Sequence, residues 1–166
     1  MTGNQVLSVR NLDTRFQTQA GEIIAVDDVS FDLKKGEILG LVGESGAGKS
    51  VSGFSIMGLI DEPGKIHGGQ IRFKGEDLIN AGDKRYDRLR GREIAMIFQE
   101  PMTSFGPMHT IGNQINESVR LKYGYSDSES EKVTLDLLTK VKIPNPNMNI
   151  NNYPHQLSGG MRQRAM

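Results

Sequence analysis

Ile38-Leu39-Gly40-Leu41-Val42-Gly43-Glu44-Ser45-Gly46-Ala47-Gly48-Lys49-Ser50 is the stretch on which the fold turns. Its first five residues are almost wholly apolar, a pattern that suits a strand covered on both faces in a parallel sheet. The next eight match G-x-x-x-x-G-K-S in full, placed between that strand and a helix start. The glycines let the backbone wrap closely and aim its N–H groups at phosphate oxygens, and the helix N-terminus adds a favourable dipole. In such a loop Lys49 bridges the β- and γ-phosphates, and the Ser50 hydroxyl ligates Mg²⁺. The plainer alternative is a Gly-rich strand–helix turn with an exposed lysine. Pattern and context together favour nucleotide binding.

Outward from this loop the chain reads as α/β. Val6–Val9 is a short strand, Val29-Ser30-Phe31-Asp32-Leu33 alternates as a strand with one buried face, and 34–37 is a turn. From Lys49, the apolar residues Val51, Phe54, Ile56, Met57 and Ile60 fit a helix leaning on the sheet, which Pro63-Gly64 ends. Gln70–Lys74 alternates again, Asp83–Arg90 reads as a charged helix stopped by Gly91, and Ile94–Phe98 is a second buried strand delivering the chain to Gln99. Residues 99–109 are loop. Beyond Thr110 the character is helical: Ile111, Ile115 and Val119 share a face. Ser128 with Glu131 forms a capping box, and Val133, Leu137 and Val141 form an apolar stripe. Asn145–Asn152 reads as an Asn-rich loop. The expected organisation is a nucleotide-binding core with an N-terminal antiparallel sheet over 1–109 and a helical subdomain over 110–166.

Composition narrows the class. At 166 residues the chain supports one real core. Lys plus Arg and Asp plus Glu cancel at 20 each, so no net field draws it to nucleic acid or an anionic membrane. Without cysteine there is no disulfide scaffold, thiol nucleophile or cysteine metal site. The three histidines, His67, His109 and His155, lie far apart and argue against a zinc enzyme. No run approaches a membrane span, and the first residues lack the pattern of a secretory signal. The expectation is a soluble intracellular α/β protein.

A second motif separates the kinds of P-loop protein. Leu157-Ser158-Gly159-Gly160-Met161-Arg162-Gln163-Arg164 places a hydroxyl, two glycines and a helix start together, another anion cradle. Alone it reads more readily as an N-cap at Ser158 followed by two loop glycines. With the P-loop upstream, the sequence resembles the ATP-binding subunits of ABC transporters. Gly43–Ser50 looks like their Walker A, Gln99 like their Q-loop, and 157–164 like their signature. The segments 98–104 and 153–164 are similar to the peptide/nickel importer branch, the dipeptide and oligopeptide permease ATPases.

The resemblance implies the following roles. Gly43, Glu44, Ser45, Gly46, Ala47, Gly48, Lys49 and Ser50 hold ATP, with Ser50 and Gln99 on Mg²⁺. Lys49 and Gln99 serve catalysis, Gln99 by reaching the attacking water. Phe16 stacks on adenine, or is a core or edge-strand phenylalanine. Ser158, Gly159 and Gly160 meet the γ-phosphate held by a second ATPase subunit, identical or sister. His155, ahead of the signature, is read as loop structure. Two membrane-spanning permease subunits and, indirectly, an external solute-binding protein complete the assembly at the cytoplasmic face of the membrane. Nucleic acid has no place in it.

Two departures stand out. Gly106-Pro107 replaces the branch's usual Asn before the proline. After residue 157 no Asp or Glu follows an apolar run, so Walker B, the catalytic glutamate and the switch histidine are absent and the chain is expected to be a fragment without ATPase turnover. A soluble repair-type or chromosome-type ATPase is disfavoured because 51–157 contain no sustained heptad repeat. A binding-only nucleotide module is the other alternative.

Overall fold

A computed structural model describes residues 4–98 and 104–166. The chain divides into two compact units, Met1–Ala95 and Met96–Met166.

In the first unit, β1 (Gln5–Thr18) and β2 (Gly21–Lys34) form an antiparallel hairpin. β3 (Gly64–Phe73) lines the other edge of β1, and the two-residue β4 (Glu76–Asp77) follows it, giving the order β2-β1-β3-β4. The strands expected at Val6–Val9 and Val29–Leu33 are parts of these longer ones. Their alternation was hidden by a change of phase at Asn11, which takes a positive φ of 46° and slips the register. Leu7 and Val9 are buried before the slip, Leu12 and Thr14 after it. Helices α1 (Lys49–Met57) and α2 (Asp83–Leu89) complete a core in which Val26, Ile71, Phe73, Leu78, Tyr86 and Leu89 are also buried.

The two apolar runs expected as parallel strands are not strands here. Ile38 and Val42 are each 98% exposed, Ile97 is 84% exposed, and among the described residues the only ladder contact of either run is a single Arg90–Ile94 bridge. A parallel strand needs hydrogen-bonding neighbours on its edges, and no described residue supplies them to Ile38–Val42.

The second unit is helical: α3 (Ile111–Tyr123), α4 (Asp127–Lys140), the one-turn α5 (Pro146–Asn149), a 3-10 turn at Pro154–Gln156 and α6 (Gly159–Ala165). The division falls at Ala95/Met96, ahead of the boundary expected at Thr110. The reason is Gln114 of α3, whose amide accepts from the Gly106 N–H at 2.8 Å and donates to the Gly106 and His109 carbonyls at 3.0 and 2.9 Å. Ile111, Leu138, Ile143, Ile150 and Leu157 form its core. The α4 capping box is Ser126 with Glu129, two residues earlier than expected, which brings Asp127 into the first turn beside the positive end of the dipole. The buried face of α4 is Ser130, Thr134 and Leu138, one residue on from the expected stripe, and Leu137 is exposed. Thr134 hydroxyl donates to Asn116 Oδ1 at 2.5 Å, so α3 and α4 meet through small polar groups.

The Asn-rich stretch is more than a loop. Asn149 is buried and donates to the Pro144 carbonyl at 2.6 Å. The carbonyls of Asn152 and Ile150 then accept from the Ile111 and Gly112 amides, each at 2.8 Å, satisfying two of the orphan donors of α3. A β-carbon on Gly112 would lie 2.6 Å from the Ile150 carbonyl oxygen. Gly112→Ala should therefore destabilise the helical unit by about 2 kcal/mol or more, read as a lower midpoint in denaturant, whereas Gly106→Ala, with its nearest neighbour at 3.6 Å, should not.

Glu129 gives a pH signature. Its hydrogen bonds from the Ser126 hydroxyl (2.6 Å) and amide (2.9 Å) hold its carboxyl below the ordinary glutamate value. A depressed pKa contributes stability above the ordinary value that is lost as pH falls through the lowered one. The melting-temperature gap between the protein and Glu129→Gln should close as pH falls through that window.

Candidate functional site

The phosphate loop runs exposed from Gly43 and enters α1 at Gly48, which caps the helix with φ 78° and no side chain. Helix geometry leaves the amides of Lys49, Ser50 and Val51 without intrahelical partners, and no capping side chain claims them. Gly46 also takes a positive φ, 84°, so the loop turns twice through conformations that favour glycine. Lys49 Nζ donates to the carbonyls of Gly43 and Glu44, both at 2.7 Å, closing the loop on itself. Ser50 is exposed at the first turn. The site thus offers backbone donors, one ammonium and one hydroxyl at a positive helix end, a donor set suited to a polyphosphate and its cation.

What places α1 is only in part the apolar face that its sequence advertises. Its buried residues are Ser52, Ser55 and Met57, while Val51 and Ile56 only flank the core. Ser55 hydroxyl donates to the Val51 carbonyl at 2.8 Å and sits 2.9 Å from Thr14 hydroxyl of β1, both side chains wholly buried. At the helix start, a β-carbon on Gly48 would overlap the Ala25 carbonyl oxygen of β2. Thr14, Ala25 and Ser55 are the positioning residues that pattern reading missed; their only signal is small or hydroxyl side chains where a helix face and a strand face should be apolar.

Phe16 is half-buried on β1, opposite Ile23 of β2 and Gly64 of β3. It lies two residues on from Thr14 in an unbroken stretch of the β1–β3 ladder, hence on the same face as α1. Beside it, Arg15 bonds Asp13 at 2.6 Å and Glu22 at 2.9 Å, and its hydrogen bonds hold the Asp13 carboxyl below the usual range.

In the helical unit, Ser158 is the N-cap of α6, its hydroxyl accepting from the Met161 amide at 3.3 Å. Gly159 and Gly160 are not loop residues but the first turn of that helix. A β-carbon on Gly159 would touch nothing within 4 Å and one on Gly160 only Arg164 Nη1 at 3.7 Å, so nothing in this unit demands glycine there. Each costs about 1 kcal/mol of helix stability relative to alanine. Leu157, Met161 and Ala165 anchor the turn on the helical core. Tyr153, which caps the adjoining 3-10 turn, and His155 within it stack with ring centres 5.7 Å apart, which gives His155 a structural partner. Gln99, expected on the cation and the attacking water, lies outside the described residues. Among the described residues no His, Cys, Asp and Glu cluster could hold a metal by itself, and no helix is long and apolar enough to cross a membrane.

The glycine-rich loop running into a helix start, with its lysine and serine, defines a P-loop nucleotide-binding site. The chain belongs to the ABC transporter family, whose model matches residues 26–166. The dipeptide transport ATP-binding protein DppD of Escherichia coli is 46% identical over 97% of this chain and 49% of its own length. The protein of the same name from Lactococcus lactis is 47% identical over 100% of this chain and 48% of its own. The bacterial ABC transporter cassette MJ0796, solved as a dimer, matches with a TM-score of 0.82 at 25% identity, over 96% of this chain and 66% of that one. The chain spans about half the length of the curated relatives it matches.

Gly48→Ala, with the φ of 78° and the Ala25 carbonyl against it, should push the start of α1 off the sheet. The measurable outcome is loss of ATP binding by calorimetry, whereas Gly159→Ala, in open space, should leave the binding of ATP to this chain's own loop unchanged.

Proposed function

We propose that this chain is the nucleotide-binding portion of an ATP-binding subunit that powers an importer of peptides or a related small solute, such as nickel or a glutathione-like molecule. The observation that carries the reading is the Gly43–Ser50 loop at the start of α1, whose N-cap, Gly48, has no side chain to claim the amides of Lys49, Ser50 and Val51. The names of the relatives point to peptides as the cargo.

In this reading the loop amides from Gly43 to Ser50 cradle the phosphates. Lys49 exchanges the Gly43 and Glu44 carbonyls for β- and γ-phosphate oxygens, a swap of neutral acceptors for charged ones. Ser50 and Gln99 would hold Mg²⁺, whose charge would offset that of the phosphate oxygens. Phe16 offers a half-buried ring to the adenine. Hydrolysis is in-line attack of water on the γ-phosphate, where catalysis is mostly positioning and charge stabilisation. Ser158, Gly159 and Gly160 face ATP held by a second ATPase subunit; the open space around both glycines supports close approach by an outside group. The loop bearing Gln99 touches one of two membrane-spanning permease subunits. The assembly works as a peripheral complex on the cytoplasmic face, fed by an external solute-binding protein.

The test is Lys49→Ala. It should abolish ATP binding by calorimetry and, in the whole transporter reconstituted in vesicles, abolish peptide uptake. Unchanged ATP affinity would remove the site assignment, and full uptake would remove the importer.

A further inference from the structure

The C-terminal end of α1 is held as deliberately as its phosphate-facing start. The last carbonyls of any helix lack intrahelical donors and carry the negative end of its dipole. α1 has no basic residue of its own in its last turn. Arg90, at the end of α2, supplies one from 33 residues away: its Nε donates to the Met57 carbonyl at 2.9 Å and its Nη2 to the Gly58 carbonyl. The guanidinium lies 5.0 Å from the centre of the Tyr86 ring, which is buried directly beneath Gly58. A β-carbon on Gly58 would come within 2.6 Å of that ring. Arg90 is itself tied back, its amide donating to the Tyr86 carbonyl at 2.8 Å.

We propose that Arg90 is a positioning residue for the phosphate loop, gripping α1 at the end opposite Lys49 so that the amides of its first turn keep their place. The proposal rests on the nucleotide-binding reading of Gly43–Ser50. Its physical basis is leverage. A helix of nine residues moves as a rigid rod of roughly 13 Å, so play at Gly58 becomes displacement at Lys49 and Ser50. The buried face of α1 is largely serine, so apolar packing alone resists such play poorly. The planar fork of arginine meets two carbonyls while stacking on Tyr86; an ammonium has neither the fork nor the plane.

The experiment measures ATP affinity by calorimetry in the full chain for Arg90→Ala, Arg90→Lys and Lys49→Ala, with thermal melting of each and with methylguanidinium added to each. Arg90→Ala should weaken ATP binding by about tenfold or more, Arg90→Lys should recover part of the loss, and methylguanidinium should restore binding to Arg90→Ala alone. Lys49→Ala should lose binding with no rescue. Wild-type affinity in Arg90→Ala, or a loss that follows the melting temperature and responds neither to lysine nor to methylguanidinium, would overturn the positioning role. Wild-type affinity in Lys49→Ala would instead overturn the nucleotide reading beneath it.

Discussion

Thr14 and Ser55 meet hydroxyl to hydroxyl at 2.9 Å in a place where a larger pair would hold helix and sheet apart. Small side chains let α1 approach the antiparallel sheet closely, and the bond compensates the burial of both hydroxyls. The same closeness operates one end further along, where Gly48 lies on the Ala25 carbonyl. The phosphate loop inherits its position from these contacts, since its last residues are the first of α1. A loop exposed along almost its whole length is thus placed in part by two hydroxyl side chains, those of Thr14 and Ser55, that never reach solvent.

The helical unit follows a related rule on a different scale. Its interior holds Ser130, Thr134 and Asn149 beside Ile111, Leu138 and Ile150, and each polar group has a partner: Asp127 carbonyl for Ser130, Asn116 for Thr134, Pro144 carbonyl for Asn149. Close, hydrogen-bonded contact takes the place of bulk. Leu157 and Met161 extend this frame to α6, so the serine–glycine turn projects from a packed base.

Legibility followed from how local each constraint is. The P-loop and the Ser158 cap were readable because turn chemistry and capping act within a few residues. The face of α4 was misjudged by one residue and that of α1 in part: Met57 is buried as expected and Val51 and Ile56 flank the core, but Ser52, Ser55, Ser130 and Thr134 point in and are satisfied there. Two Ser-x-x-Glu pairs overlap at 126–131, and the choice between them depends on Asp127 joining the first turn. The runs 38–42 and 94–98 have a strand composition, but strand pairing is non-local and composition cannot provide a neighbour. The grip of Arg90 on Met57 and Gly58 spans more than thirty residues and left no pattern at all.

The ring that Lys49 closes onto Gly43 and Glu44 bears on the cost of ligand capture. A flexible glycine-rich segment would lose conformational entropy when it wraps an anion. Here the ammonium already bends the segment around itself, standing in for the guest with the host's own oxygens. An arriving polyphosphate then meets a preorganised enclosure, and capture consists of exchanging acceptors at a fixed donor more than of ordering a chain.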